Sequence, residues 1–289
     1  MLFIVMTNSR LHKIIQESIY NVVNEDHLKV VDNIDAVIAW VEENWTGPDD
    51  MWWIKIDQRK KDFRNFNKRN HTTRRNEKWW TRTPGPDGTS RENHVGYVIV
   101  RGRTKKDCVN SIRNAVVHLN PWAAKQAGVN MVKSNGNAEA IRIVCNTFFA
   151  RSYMTINQRS IGQTVNRARA DKRNGLFGSR AFHHRAGQSR TGVDSSGINW
   201  TLTRKYGLID CDIDNVKAQQ ELEDYFERNN VKVYKKMQSH DGMHYILAID
   251  DAKGLVFNFM DKYDTNNKAG DPSVLFKPDA NMIVYSPIG

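Results

Sequence analysis

The chain has 289 residues, 39% hydrophobic and 10% aromatic, which excludes wholesale disorder and leaves room for a sizeable core. Its formal charge of +11 and pI near 9.5 favour a polyanionic partner, most simply nucleic acid. Three scattered cysteines, Cys108, Cys145 and Cys211, lack zinc-ligand spacing and argue for a reducing compartment over a disulfide framework. Residues 2–6 make an apolar strand, too short for a signal-peptide core, and no apolar run approaches a membrane span. A cytoplasmic protein is expected. Leu11, Ile14, Ile15, Ile19 and Val22 recur at helical spacing behind a cap at Asn8 or Ser9. Residues 28–31 read as a strand, 33–43 as a helix with Ile34, Val37, Ile38 and Val41 inward, and 51–56 as a third strand. That order predicts a small separate α/β domain over residues 1–57. It holds no Gly-rich phosphate loop, so a structural or docking duty is expected of it.

Residues 58–92 change character and read as a basic, aromatic linker or arm. Arg64, Arg69, Arg74 and Arg75 are interleaved with Phe63, Phe66, Trp79 and Trp80 before a Pro84-Gly85-Pro86 turn. Cations for phosphates and rings for stacked bases are what single-stranded DNA or RNA requires. A solvated linker with its aromatics tucked into a core has the same composition. Beyond it, residues 94–101 read as a strand, 105–119 and 138–148 as helices, and 150–157 as a strand. Arg167, Arg169 and Arg173 open a second basic stretch, over residues 163–197. His183 and His184 lie inside it and read as solvated.

Residues 206–214 organise the C-terminal part of the chain. Leu208 and Ile209 mark a buried strand on which Asp210 and Asp212, two apart, share a face. Neighbouring carboxylates repel unless a cation lies between them, and hard oxygen ligands suit Mg²⁺ or Mn²⁺. Cys211 faces the other way and belongs to a core. Residues 216–228 then read as a helix, 231–237 and 242–249 as strands, 255–263 as a helix and 282–285 as a last strand. This is the strand-helix-strand-strand-helix-strand order of a ferredoxin-like split unit. Its first and third strands are central neighbours, which places His244 beside the acidic pair.

The acidic pair, followed by Ser239 and by Gly242-Met243-His244 entering the third strand, resembles the archaeo-eukaryotic primase superfamily, with its phage and plasmid primase-polymerases. Residues 150–157, ending in Asn157, are similar to the strand that precedes the acidic motif in those members. The likeness covers roughly residues 141–286. It implies an α+β fold, with a primase-like α/β unit and a ferredoxin- or RRM-like catalytic sheet over residues 93–289. It implies Asp210 and Asp212 as metal ligands, Ser239 and His244 at the triphosphate of a bound nucleotide, and Arg159 at the border of the cleft. Lys236, on the strand leading to Ser239, is a further candidate for a phosphate. A third carboxylate is expected, with Asp261, Asp271 and Asp279 as candidates and Asp271 carried forward. The Arg that many members place near the last strand is missing. The implied activity is metal-dependent primer synthesis or extension on single-stranded nucleic acid from nucleoside triphosphates, in DNA replication. A helicase or replisome partner is compatible with it, in the host cytoplasm if the gene belongs to a phage. Two rival functions remain. One is a catalytically degenerate nucleic-acid-binding protein of the same fold. The other is a replication-initiator endonuclease, which needs a His-hydrophobe-His motif that His240 and His244, four apart, do not make.

Overall fold

The computed structural model describes residues 30–59, 92–175, 206–212, 216–239, 242–251, 274–278 and 280–287. The elements in chain order are β1 (Val31–Asp32), α1 (Ile34–Asn44), β2 (Asp50–Arg59), β3 (Glu92–Arg101), α2 (Lys105–Arg113), β4 (Val116–Leu119), α3 (Pro121–Ala127) and β5 (Met131–Lys133). There follow α4 (Glu139–Phe148), β6 (Arg151–Thr155), β7 (Arg159–Ser160), α5 (Ile161–Arg173), β8 (Tyr206–Asp212) and α6 (Val216–Arg228). The last strands are β9 (Lys235–Gln238), β10 (Gly242–Ala248), β11 (Val274–Pro278) and β12 (Asn281–Ser286). The class is mixed α+β, with antiparallel sheets. The expected elements over residues 2–6, 11–22 and 255–263 lie outside the described residues.

One sheet has eight strands in the order β1-β12-β6-β2-β3-β4-β5, with β7 paired to β2. The expectation of a separate domain over residues 1–57 is corrected by this order. β1 pairs with β12, and β2 lies between β3 and β6. The cause is hydrophobic: Met51, Trp52, Trp53, Ile54 and Ile56 are all at most 3% exposed, so β2 requires cover on both faces and both edges. Helices α1, α2 and α4 send Val37, Trp40, Ile112, Ile141 and Val144 into a single core with Trp52, Ile54 and Ile56.

Local chemistry sets several boundaries. Thr104 and Asp107 form a reciprocal capping box at the start of α2. That helix ends at Arg113, so the expected helix over 105–119 is corrected. Val116 and Val117 are β-branched and continue as strand β4 instead. Asn120 caps α3 by accepting from the Ala123 N–H at 2.8 Å, ahead of Pro121. Ser160 caps α5 the same way through the Gln163 N–H.

The second sheet has four strands, ordered β11-β8-β10-β9, each pair antiparallel. Counted along the chain from β8, that is fourth, first, third, second. This strand order is the one the split unit requires, but its fourth strand is not the expected one. Residues 274–278 fill that place, and 282–285 belong to β12 in the first sheet. Met282, Ile283 and Val284 are each at most 1% exposed, and a strand buried on both faces belongs in a sheet interior, here between β1 and β6.

The second sheet is covered on both sides. Ile209, Cys211, Tyr245 and Leu247 pack with Ala218, Leu222 and Phe226 of α6. Leu208, Met237 and Ile246 join the main core with the first sheet.

Candidate active site

The face of β8 and β10 opposite α6 carries the acidic motif. Asp210 stands directly across from His244, and Asp212 across from Gly242. His244 Nε2 lies 3.1 Å from Asp210 Oδ1, with the two side chains 9% and 20% exposed. His244 Nδ1 is buried and has no hydrogen-bond partner. Alternation gives positions 210 and 212 one face, as the sequence predicts; the Asp212 side chain is outside the described part of the molecule. Residues 206–212 are strand, the geometry on which a shared face depends.

Ser239 ends the β9–β10 hairpin. It is 5% exposed, and its N–H donates to the Gly242 carbonyl at 2.8 Å, which holds the turn shut. Asn33 reaches across from the start of α1. Its Nδ2 donates to the Gln238 carbonyl at 2.9 Å and to the Ile283 carbonyl at 3.2 Å, tying the hairpin to β12.

Asn157 is fully buried between the sheets. Its side-chain amide donates to the Tyr206 carbonyl at 3.0 Å, and its Oδ1 accepts from the Tyr206 N–H at 2.6 Å. That clamp fixes the turn after β6 against the first residue of the acidic strand. Arg159, two residues on, is wholly buried and donates from Nη1 to the Asn157 carbonyl at 3.2 Å. Arg159 thus lies inside the molecule beside the Asn157 clamp.

Lys236 is not brought to this face. It pairs across the ladder with Tyr245, whereas His244 pairs with Met237, so alternation sends Lys236 to the helix side. There its Nζ lies 2.7 Å from Glu223 Oε1 and 5.7 Å from the Tyr245 ring centroid. Lys235, paired with Ile246, falls on the His244 side instead. The sequence points to Lys236, and the register gives the His244 side to its neighbour.

Cys211 is core, as expected, with no exposure. Burial pushes the Cys108 and Cys145 thiols up to about 12, which makes both poor nucleophiles. Arg167, Arg169 and Arg173 lie exposed on α5. Arg64, Arg69, Arg74, Arg75, Trp79, Trp80, Asp271, Asp261, Asp279, His183 and His184 lie outside the described residues. Among the described residues, no three His, Cys, Asp or Glu side chains gather as a metal site, and no helix is long and apolar enough to cross a membrane. The chain matches no family model, no curated protein and no solved structure.

Proposed function

We propose that this protein is a metal-dependent nucleotidyltransferase of primase-polymerase type, acting on single-stranded nucleic acid with nucleoside triphosphates. The observation that carries this reading is the Asp210–His244 contact on the two central strands of the second sheet, with position 212 on the same face. Carboxylate oxygens at that spacing fit Mg²⁺ or Mn²⁺, which Asp210 and Asp212 would hold. Such an ion, when bound, neutralises charge developing on a phosphoryl group in transfer.

His244 holds Asp210 in one orientation through Nε2, and its buried Nδ1 is the atom left for a ligand. A buried ring nitrogen without a partner calls for such an explanation. The Ser239 hydroxyl, at the mouth of the same hairpin, is a donor for a phosphate oxygen. The exposed arginines of α5 and the overall charge of +11 supply attraction for the strand. A primase-like fold, of which this sheet would be the catalytic part, belongs to the same proposal.

The Asp210–His244 contact itself favours a second reading. His244 already satisfies Asp210 without a cation, as in a non-catalytic nucleic-acid-binding protein of the same fold. Primer synthesis and extension on single-stranded DNA, with Mg²⁺ or Mn²⁺ and labelled nucleotides, separates the two. Asp210→Asn is expected to lower incorporation by about a hundredfold or more while leaving strand binding intact. Strand binding with no incorporation by the unaltered protein under either metal would leave the second reading standing.

A further inference from the structure

The first sheet has a second face, turned away from the main core, where Trp53 is buried against Tyr97, Ile99 and Ile161 while Lys55, His94, Tyr97 and His118 beside it keep part of their surface exposed. Trp53, Lys55 and Asp57 alternate onto it from β2, Tyr97 and His94 from β3, and His118 from β4. Their rings are nearly parallel. Tyr97 stacks with Trp53 at 4.4 Å and 17°, with His118 at 5.1 Å and 20°, and with His94 at 6.3 Å and 8°. Lys55 also stands over the Tyr153 ring, 5.5 Å from its centroid.

A β-bulge makes this arrangement possible. The register between β2 and β3 shifts after Ile56, so Asp57 faces His94 and Val95 turns into the core with no exposure. Bulges of this kind re-aim side chains next to functional sites. Gly96 lies at the bulge, where a Cβ would come within 2.7 Å of the His118 carbonyl oxygen. The close approach of β4, and with it the Tyr97–His118 stack, therefore requires glycine there.

Asp57 is 6% exposed at its side chain, with Lys55 Nζ at 2.7 Å and His94 Nδ1 at 3.1 Å. An ionised carboxylate only accepts, so His94 carries a proton on Nδ1 and presents Nε2. His94 is 45% exposed, against 6% for its partner. A buried acid thus orients an exposed imidazole beside a row of parallel rings.

We propose that this face binds single-stranded nucleic acid, with bases stacking on Tyr97 and His118 and a phosphate held by His94 in its imidazolium form, which donates from Nε2 to the phosphate while Nδ1 donates to Asp57. Parallel rings interleaved with cations match the alternating π-faces and phosphates of a strand, whereas a protein partner would call for a continuous apolar patch. Lys55 offsets the charge of Asp57, so the carboxylate does not repel an approaching phosphate. The basic, aromatic stretch of the sequence joins β2 and β3 at the Arg59–Glu92 pair, two register positions beyond Asp57 and His94. None of these residues belongs to the Asp210–His244 site, so the proposal holds whether or not that site transfers nucleotides.

Fluorescence anisotropy of the full chain with a labelled oligothymidylate, beside a melting curve for each variant, tests it. Tyr97→Leu and His118→Ala should each weaken binding at least about fivefold. His94→Gln should reduce the slope of log affinity against log salt by about one. Asp57→Asn should weaken binding as His94→Gln does, and the double variant no further, because Asp57 acts through the imidazole. Photocrosslinking of the unaltered protein to iodouracil-substituted DNA, mapped by mass spectrometry, decides the matter even where a variant fails to fold. Crosslinks at Tyr97 or His118 support the proposal. Unchanged affinity in folded variants, or crosslinks only outside this face, would overturn it.

Discussion

At the scale of single residues, two carboxylates link folding to pH. Burial alone would raise the Asp57 pKa, but the Lys55 ammonium and the His94 hydrogen bond outweigh it and hold the carboxyl at about 2, below its ordinary 3.8. Glu223 behaves alike: burial would raise it, yet hydrogen bonds from Lys236, Tyr245 and Gln219 hold it at about 2 instead of 4.5. A depressed folded-state pKa gives stability that is full above the unfolded value and is lost as pH falls through the folded one. The window therefore runs from about 4.5 down to about 2. For Asp57, nearly buried, the linkage amounts to about 2 kcal/mol at neutral pH. Asp57→Asn should flatten the fall of melting temperature across that window. Parallel melting curves for the variant and the unaltered protein would show that the carboxylate carries no such linkage.

At the scale of elements, the seam between the sheets depends on the Asn157 clamp. It satisfies both backbone groups of Tyr206, whose hydroxyl in turn donates to Asn44 Oδ1 at 2.8 Å. Trp40 supports the same seam, donating from its indole to the Ile156 carbonyl at 3.0 Å. Replacing Asn157 by Leu removes both of these buried hydrogen bonds to Tyr206, at a cost of roughly 2–4 kcal/mol. Chemical denaturation should show that loss. A variant as stable as the parent would mean that the clamp is dispensable.

At the scale of the whole molecule, the chain closes on itself. β12, at its far end, lies between β1 and β6, so the first sheet is not complete until the last described residues are in place. Met282, Ile283 and Val284 of that strand are buried, so the core of the sheet includes them. Deleting residues 281–289 should therefore abolish cooperative thermal unfolding, with near-UV circular dichroism lost, and not merely shorten the protein. A truncated chain that melts as sharply as the full one would contradict this. Such distant pairing also predicts slow folding, since the loop must close before its contacts form.

Local pattern determined much of this protein. The Asp210–His244 pairing was expected from the strand order of a split unit; the helices α1, α4 and α6 and the strands β2, β3, β8 and β10 follow from apolar periodicity, capping residues and the alternation of a strand. Those signals act within a few residues and survive in any tertiary context. The place of β12 was a different matter, because an apolar run such as 282–285 fits the interior of either sheet and only the competing partners choose. Lys236 depended on cross-strand register, which a single strand does not contain. The Asp57–His94 pair was invisible for the same reason. The two residues stand 37 apart in sequence, and a bulge, not a periodicity, sets them face to face.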